Sequence, residues 1–404
     1  MDSYKILLIA RYEGKLLCRN FVFLLLCGFM LLGIVVFHVF LQSDWRVFEY
    51  SVNLPSGMPY ANAYLWGIMQ SFLVIFVVGD FVYRDNIEKT NDVFLARDFS
   101  NLEYLTGKLV GVVVVFLVLN VISMFICMLV HLFASSFRFN VGLYLFYLLT
   151  VSLPALLFMS GLVFMIKIWI KFRFFALTGL VMFLFLSLFV FSTKTLGIFD
   201  FMASRVPHIF SSMVGHPAMG SYLLHRLVFV LVGVGCFVIS VYGFKRLPNN
   251  IGRSRRLGVV GLVFVLLGFL TGWLYWLPHQ VARETRNDWV TIQKKYDAYP
   301  KVKIEQHEIK YDIRGEKILA RSVISVRNSN LFRVDSVIFY LNPSLEVTGV
   351  TAGSHNVNFT RNQQIVVIEK SLHPDERCEL DLSYSGAIDP RICYLDISPE
   401  RYDE

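Results

Sequence analysis

Residues 79–111, GDFVYRDNIEKTNDVFLARDFSNLEYLTGKLVG, are the stretch whose reading decides the fold. They form a long polar segment between two apolar runs, Ala61–Val78 and Leu109–Phe133, each long enough to cross a bilayer. Carrying Asp80, Arg84, Asp85, Glu88, Lys89, Arg97, Glu103 and Lys108, the segment belongs in water against a membrane face, although a mere connector needs only a few residues. Within it Asp92, Val93, Phe94, Leu95, Ala96, Arg97 and Asp98 set a short apolar patch between charges, with Thr90 or Asn91 placed to cap it. This reads as a small helix offered to a partner; the plainer alternative is a solvated, charge-mixed loop. Ser100 and Glu103 have the spacing of a capping box, in which the hydroxyl and the carboxylate each take a free amide of the first turn. A helix is therefore expected to start near Asn101 and to run through Lys108 into the membrane.

Outward from this segment the chain is too apolar for a soluble domain. Of 404 residues 55% are hydrophobic, 37 are Phe and only 17% are charged. Seven spans are expected, over Phe21–Leu41, Ala61–Val78, Leu109–Phe133, Val141–Ile166, Phe174–Phe191, Leu223–Phe244 and Leu257–Leu277. The net charge of +8 does not make a nucleic-acid face, because the bases flank spans. They gather on alternate connections: Lys5, Arg11, Lys15 and Arg19; Arg84, Lys89, Arg97 and Lys108; Lys167, Lys171 and Arg173; Lys245, Arg246, Arg253, Arg255 and Arg256. Basic loops stay in the cytoplasm, which places the N-terminus and the 79–111 segment inside and, after an odd number of spans, everything beyond Leu277 outside.

The fold class expected is a mainly α polytopic membrane protein of about seven transmembrane helices with a small C-terminal all-β extracytoplasmic domain. Residues 1–19 carry Lys5, Arg11, Lys15 and Arg19 on one helical face and Ile6, Ile9, Ala10, Leu16 and Leu17 on the other, the pattern of an interfacial helix. Residues 20–244 hold six spans, 245–277 a basic loop and the seventh, 278–301 a linker in which Arg283–Tyr299 reads either as a short polar helix or as plain linker, and 302–404 the β-domain. There, Ala320–Arg327, Asp335–Leu341, Gln364–Ile368 and Glu379–Tyr384 read as strands, the last with the clearest alternation. Asn342-Pro343, Gly353-Ser354, His373-Pro374-Asp375 and Ser385-Gly386 supply turns, and the whole makes a β-sandwich or open antiparallel sheet.

Chemistry-bearing motifs are scarce. Gly14-Lys15 and Gly107-Lys108 are each followed by Leu and lack the upstream glycine of a phosphate-binding loop. His307-Glu308 begins like a zinc-protease helix, but Tyr311 stands where the second histidine is needed and the alternation predicts a strand. No catalytic, cofactor or metal residue is assigned. Cys378 and Cys393 both fall in the outer domain, where a disulfide between them and two buried thiols are the alternatives. The ionisable residues counted within spans are His38, His131 and Lys167, too few for a proton relay. Gly107 with Gly111, and Gly233 with Gly235, would permit close helix packing, and Pro154 is expected to kink the fourth span.

A basic N-terminal helix ending in RYEGKLLCRNFVF, a first span, and a second span leading into the 79–111 segment together resemble the permease subunits of ABC-2 type transporters. The resemblance covers roughly residues 1–244 and implies that Asp92–Asp98 is a coupling helix docking on a separate cytoplasmic ATPase. It further implies ATP and magnesium on that partner and none on this chain, a second permease copy, like or unlike, and a place in the bacterial inner membrane. The seventh span and the outer domain depart from the usual six-span plan. The outer domain, with FYLNPSLEVTGV and LSYSGAIDPRICYLDISPE, is similar to the N-terminal β-domain of M1 family zinc aminopeptidases, but it holds no peptidase motif. Two functions follow as expectations: a transport subunit, exporting a solute at the expense of the partner's ATP, or a membrane anchor or truncated fusion that presents the β-domain to a peptidase or another partner outside, without transport.

Overall fold

The computed structural model describes residues 2–41, 55–87, 100–134, 139–170, 172–192, 197–204, 206–210, 215–216, 218–244, 251–315 and 317–393. The chain divides into two compact units, Met1–Leu277 and Pro278–Glu404.

The first unit is helical. Helix α1 (Ser3–Arg19) precedes α2 (Phe21–Leu41), α3 (Gly57–Ile87), α4 (Asn101–Ala134), α5 (Val141–Tyr147), α6 (Leu153–Trp169), α7 (Arg173–Leu186) and α8 (Met219–Gly243). Helix α9 covers Ile251–Asp297, with Pro278 inside it. Among the described residues seven helices are long and apolar enough to cross a membrane. Their outer faces carry large apolar side chains such as Phe29, Leu32, Phe125, Phe174, Phe189 and Phe269, all exposed, while Leu73, Val74, Phe116, Ala155, Met159 and Phe164 fill the interior. Such all-round apolarity suits lipid and not water.

Two features refine the expected spans. Between α5 and α6 the chain runs as a π-helical turn over Leu148–Ser152, immediately before Pro154. A proline cannot donate to the preceding turn, and the wider turn absorbs the mismatch. The expected linker at 278–301 is helical as far as Asp297, because a single proline removes one donor and is tolerated in a long helix.

Glycines set the closest approaches. A methyl on Gly161 of α6 would run into the Gly233 carbonyl of α8, and one on Gly233 would lie 2.6 Å from the Phe158 Cα. Gly107 and Gly111 of α4 receive Ile9, Ala10 and Glu13 of α1 in the same way.

The second unit is a β-sandwich. Strands β1 (Lys303–Arg314), β2 (Lys317–Arg327), β3 (Val337–Tyr340), β4 (Leu345–Ala352), β5 (His355–Asn356), β6 (Phe359–Asn362), β7 (Ile365–Ile368) and β8 (Arg377–Gly386) form an antiparallel five-stranded sheet, β1-β2-β8-β4-β5, and a three-stranded one, β3-β7-β6. Ile324 and Val326 of β2, Leu380 and Leu382 of β8, Phe339 of β3 and Ile368 of β7 meet in its core. His307-Glu308 lies on β1, as a strand. Ser385-Gly386, expected as a turn, instead ends β8; Gly386 has φ of 147°, and a Cβ there would lie 2.5 Å from the Ser344 carbonyl oxygen.

Candidate functional site

The segment Asp92–Asp98 lies outside the described residues. At the start of α4, the Ser100 amide donates to Glu103 Oε2 at 3.0 Å and the Glu103 amide to Ser100 Oγ at 3.2 Å, so the cap is reciprocal. The other Glu103 oxygen accepts from the Asp2 amide at 2.8 Å, tying the first residues of the chain to this helix start. One turn on, Lys108 and Glu13 form a buried ion pair at 3.5 Å between α4 and α1. Helix α1 is thereby bound along the first turns of α4, directly after the polar segment. Cys378 and Cys393 are free thiols, the first on β8 and the second exposed beyond a 3-10 turn at Pro390–Ile392.

The site that geometry brings together was not among those assignments. It is built on residues 197–204 and 206–210 and on α8. The sequence GIFDFMASRVPHIF reads as a connecting loop, yet Asp200, Phe201, Met202, Ala203 and Val206 are buried. Gly197 and Ala203 adopt left-handed φ of 70° and 56°, which folds the segment back on itself. Non-helical backbone inside an apolar bundle must have its polar groups satisfied by protein. Here they are, from several elements. The Asp200 carboxylate accepts from the Met202 and Ser204 amides at 2.9 and 2.6 Å and from Ser204 Oγ at 2.5 Å. The Gly197 carbonyl pairs with His225 Nε2 at 2.8 Å, the Phe199 carbonyl accepts from Ser187 Oγ at 3.0 Å, and the His208 carbonyl accepts from the Tyr147 hydroxyl. The bond at Gly197 fixes the His225 proton on Nε2.

Arg226 is the centre of this arrangement. It is the eighth residue of α8, about 10 Å along the helix, and 3% exposed. Its Nη2 donates to the Phe201 carbonyl, and its guanidinium lies 5.5 Å from the Phe229 ring. Nε and Nη1 are buried with no hydrogen-bond partner among the described residues. Asp200, Tyr222, Tyr60 and Tyr275 are its electrostatic neighbours. Around it, Tyr60 stacks on His208 with ring centroids 3.5 Å apart and meets Tyr147 edge-on at 5.6 Å, while the Tyr222 hydroxyl reaches Thr150 Oγ1 at 2.9 Å. Burial pushes the His208 imidazole down to about 4, so that stack is between neutral rings. The arrangement offers a cation with donor capacity to spare, walled by tyrosines.

A second polar layer links the helices. Asn120 Nδ2 donates to Gln70 Oε1 at 2.7 Å, Gln70 Nε2 to the Ser152 carbonyl at 2.9 Å, and Ser123 Oγ to Asn62 Oδ1 at 3.0 Å. His38 and His131 are buried, His131 Nδ1 lying 2.8 Å from the Tyr144 hydroxyl. The signal that could have found the main site was plain: His225-Arg226 is an ionisable pair inside an apolar run, costly in a membrane unless used.

No protein-family model and no curated protein matches this chain. Among solved structures, part of it is similar to an M1 zinc metallopeptidase from Deinococcus radiodurans bound to a Tyr-Ser-Ala substrate, at 17% identity over 22% of this chain and 22% of that one, with a TM-score of 0.20. A likeness so low carries nothing about activity.

Proposed function

We propose that the chain is a multi-pass membrane protein and the permease subunit of an ABC-2 type transporter, moving a solute outward with ATP hydrolysed by a separate cytoplasmic subunit. The observation that carries this reading is the binding of α1 along α4 through Gly107, Gly111 and the Lys108–Glu13 pair. A partner that pushes on residues 92–98 would move a stiff pair of helices, and not a slack loop. The partly buried segments 197–204 and 206–210, held by Arg226, His225 and Tyr147, then stand in the solute's path as the element that must shift when the opposite end opens. The seven apolar helices support insertion, and the basic residues flanking them support a cytoplasmic N-terminus.

Purification from native membranes tests it. Recovery of a nucleotide-binding subunit with the chain, and ATPase activity stimulated by it, is the expected result. A stable complex with a zinc peptidase and no ATPase would favour instead an anchor that presents the β-sandwich, a reading supported by that unit's separate core.

A further inference from the structure

The β-sandwich holds a cleft of about 360 Å³ between its two sheets, near the low end of the roughly 300–1,000 Å³ of small-molecule sites. It opens where both sheets end: among the described residues β1 is hydrogen-bonded only to β2, and β3 only to β7. Its walls include the core side chains Ile324, Phe339 and Leu382, with Ile338 and the exposed Ile304 beside them.

Polar groups interrupt that lining, Ser322 among them. The inward positions of β2 run Ser322, Ile324, Val326, so a buried hydroxyl stands where the alternation asks for an apolar side chain. Ser322 Oγ lies 3.2 Å from His307 Nε2 and 3.1 Å from the Tyr384 hydroxyl, making a hydrogen-bonded row across β1, β2 and β8. With a neutral imidazole the three groups hold three protons, and two are used in the internal bonds. One donor is always left over. Two basic side chains, Lys301 and His307, line the cleft, and no carboxylate does among the described residues. Beyond His307, the same face of β1 continues as exposed Ile309, Tyr311 and Ile313, an apolar track leading out of the cleft.

We infer that this cleft binds an apolar molecule bearing a carboxylate, its chain between the sheets and its carboxylate on the spare donor of the His307–Ser322–Tyr384 row. The inference does not depend on the transport reading. An amphiphile of this charge suits the lining better than a neutral chain, which gives the row's spare donor no partner, or a cation, for which the lining supplies no carboxylate, the nearby Asp297 being paired with Lys301 at 3.2 Å.

The test uses the full chain in phosphatidylcholine nanodiscs and a dodecanoate carrying a diazirine at its chain end. Irradiation is expected to label peptides from 302–341 and 377–386, and excess dodecanoate, but not dodecylammonium, is expected to compete. Tyr384→Phe and His307→Ala should each lower labelling about tenfold, the weight of one charge-assisted hydrogen bond, while hydrogen exchange of the core strands stays unchanged. Label found only on the helical unit, equal competition by dodecylammonium, or labelling indifferent to both variants overturns the proposal. So does competition by an apolar strand peptide with an amidated C-terminus, which would make the free edges of β1 and β3 the binding element.

Discussion

Arg226 has two demands on it, one structural and one chemical, and substitutions separate them. Its Nη2 supplies the hydrogen bond of the Phe201 carbonyl, so Arg226→Leu leaves a buried acceptor unmet at about 1–3 kcal/mol. The thermal midpoint in detergent should fall accordingly. Arg226→Lys keeps the charge and one donor but not the fork, and should recover most of the stability. If Arg226 also serves the solute, Lys will restore the midpoint without restoring transport. A second prediction at this scale concerns Asp389, whose carboxyl is held below its ordinary range chiefly by the hydrogen bonds from Arg391, with Nε at 2.9 Å. A depressed carboxyl contributes stability that is present above its unfolded value, about 3.9, and is lost as pH falls through the lower folded value. Because Arg391 is partly exposed, the contribution is below about 1 kcal/mol. Hydrogen exchange around residues 387–393 should accelerate below about pH 4, and Asp389→Asn should remove that acid dependence while keeping the cap on Arg391.

At the scale of elements, helix contacts are decided by glycines that have somewhere to be. Gly161 and Gly233 are where α6 and α8 touch, so Gly161→Ala should destabilise by about 1–3 kcal/mol through overpacking. A methyl on Gly28 or Gly179 meets nothing within 4 Å, and Ala there should be neutral or stabilising by about 0.5–1 kcal/mol. Midpoints of the three variants, measured side by side, check the pattern. The same elements show what could be read in advance. Long apolar runs announced the helices, and the alternation of Leu380 and Leu382 with Glu379 and Asp381 announced β8, because each depends on one local period. The 197–210 segment was illegible for the opposite reason. Its placement is settled by donors from distant places, among them Ser187, Tyr147 and the His225-Arg226 pair, and no window of sequence contains them together. Helix α9 runs past the expected end of the seventh span because Pro278 removes only one donor and is tolerated within a long helix.

For the whole molecule the decisive question is whether force enters through the polar segment between α3 and α4. The sequence placed an apolar patch at Val93–Ala96 among charges, and α1 is bound to α4 a few residues later by the Lys108–Glu13 pair. If a partner grips that patch, an aspartate at Phe94 must put a charge into the contact, which is costly when desolvated. Phe94→Asp should then abolish transport and the stimulation of ATPase activity, while membrane insertion and the thermal midpoint stay as they were. Lys108→Met makes a sharper comparison, since it removes the cation paired with the buried Glu13 carboxylate and should weaken the union of α1 and α4 with residues 92–98 untouched. Loss of coupling in both variants, with partner binding lost only in Phe94→Asp, separates the grip from the lever it pulls. Unchanged transport in Phe94→Asp removes the coupling role from this segment, and with it the reason to treat the α1–α4 junction as more than a fold contact.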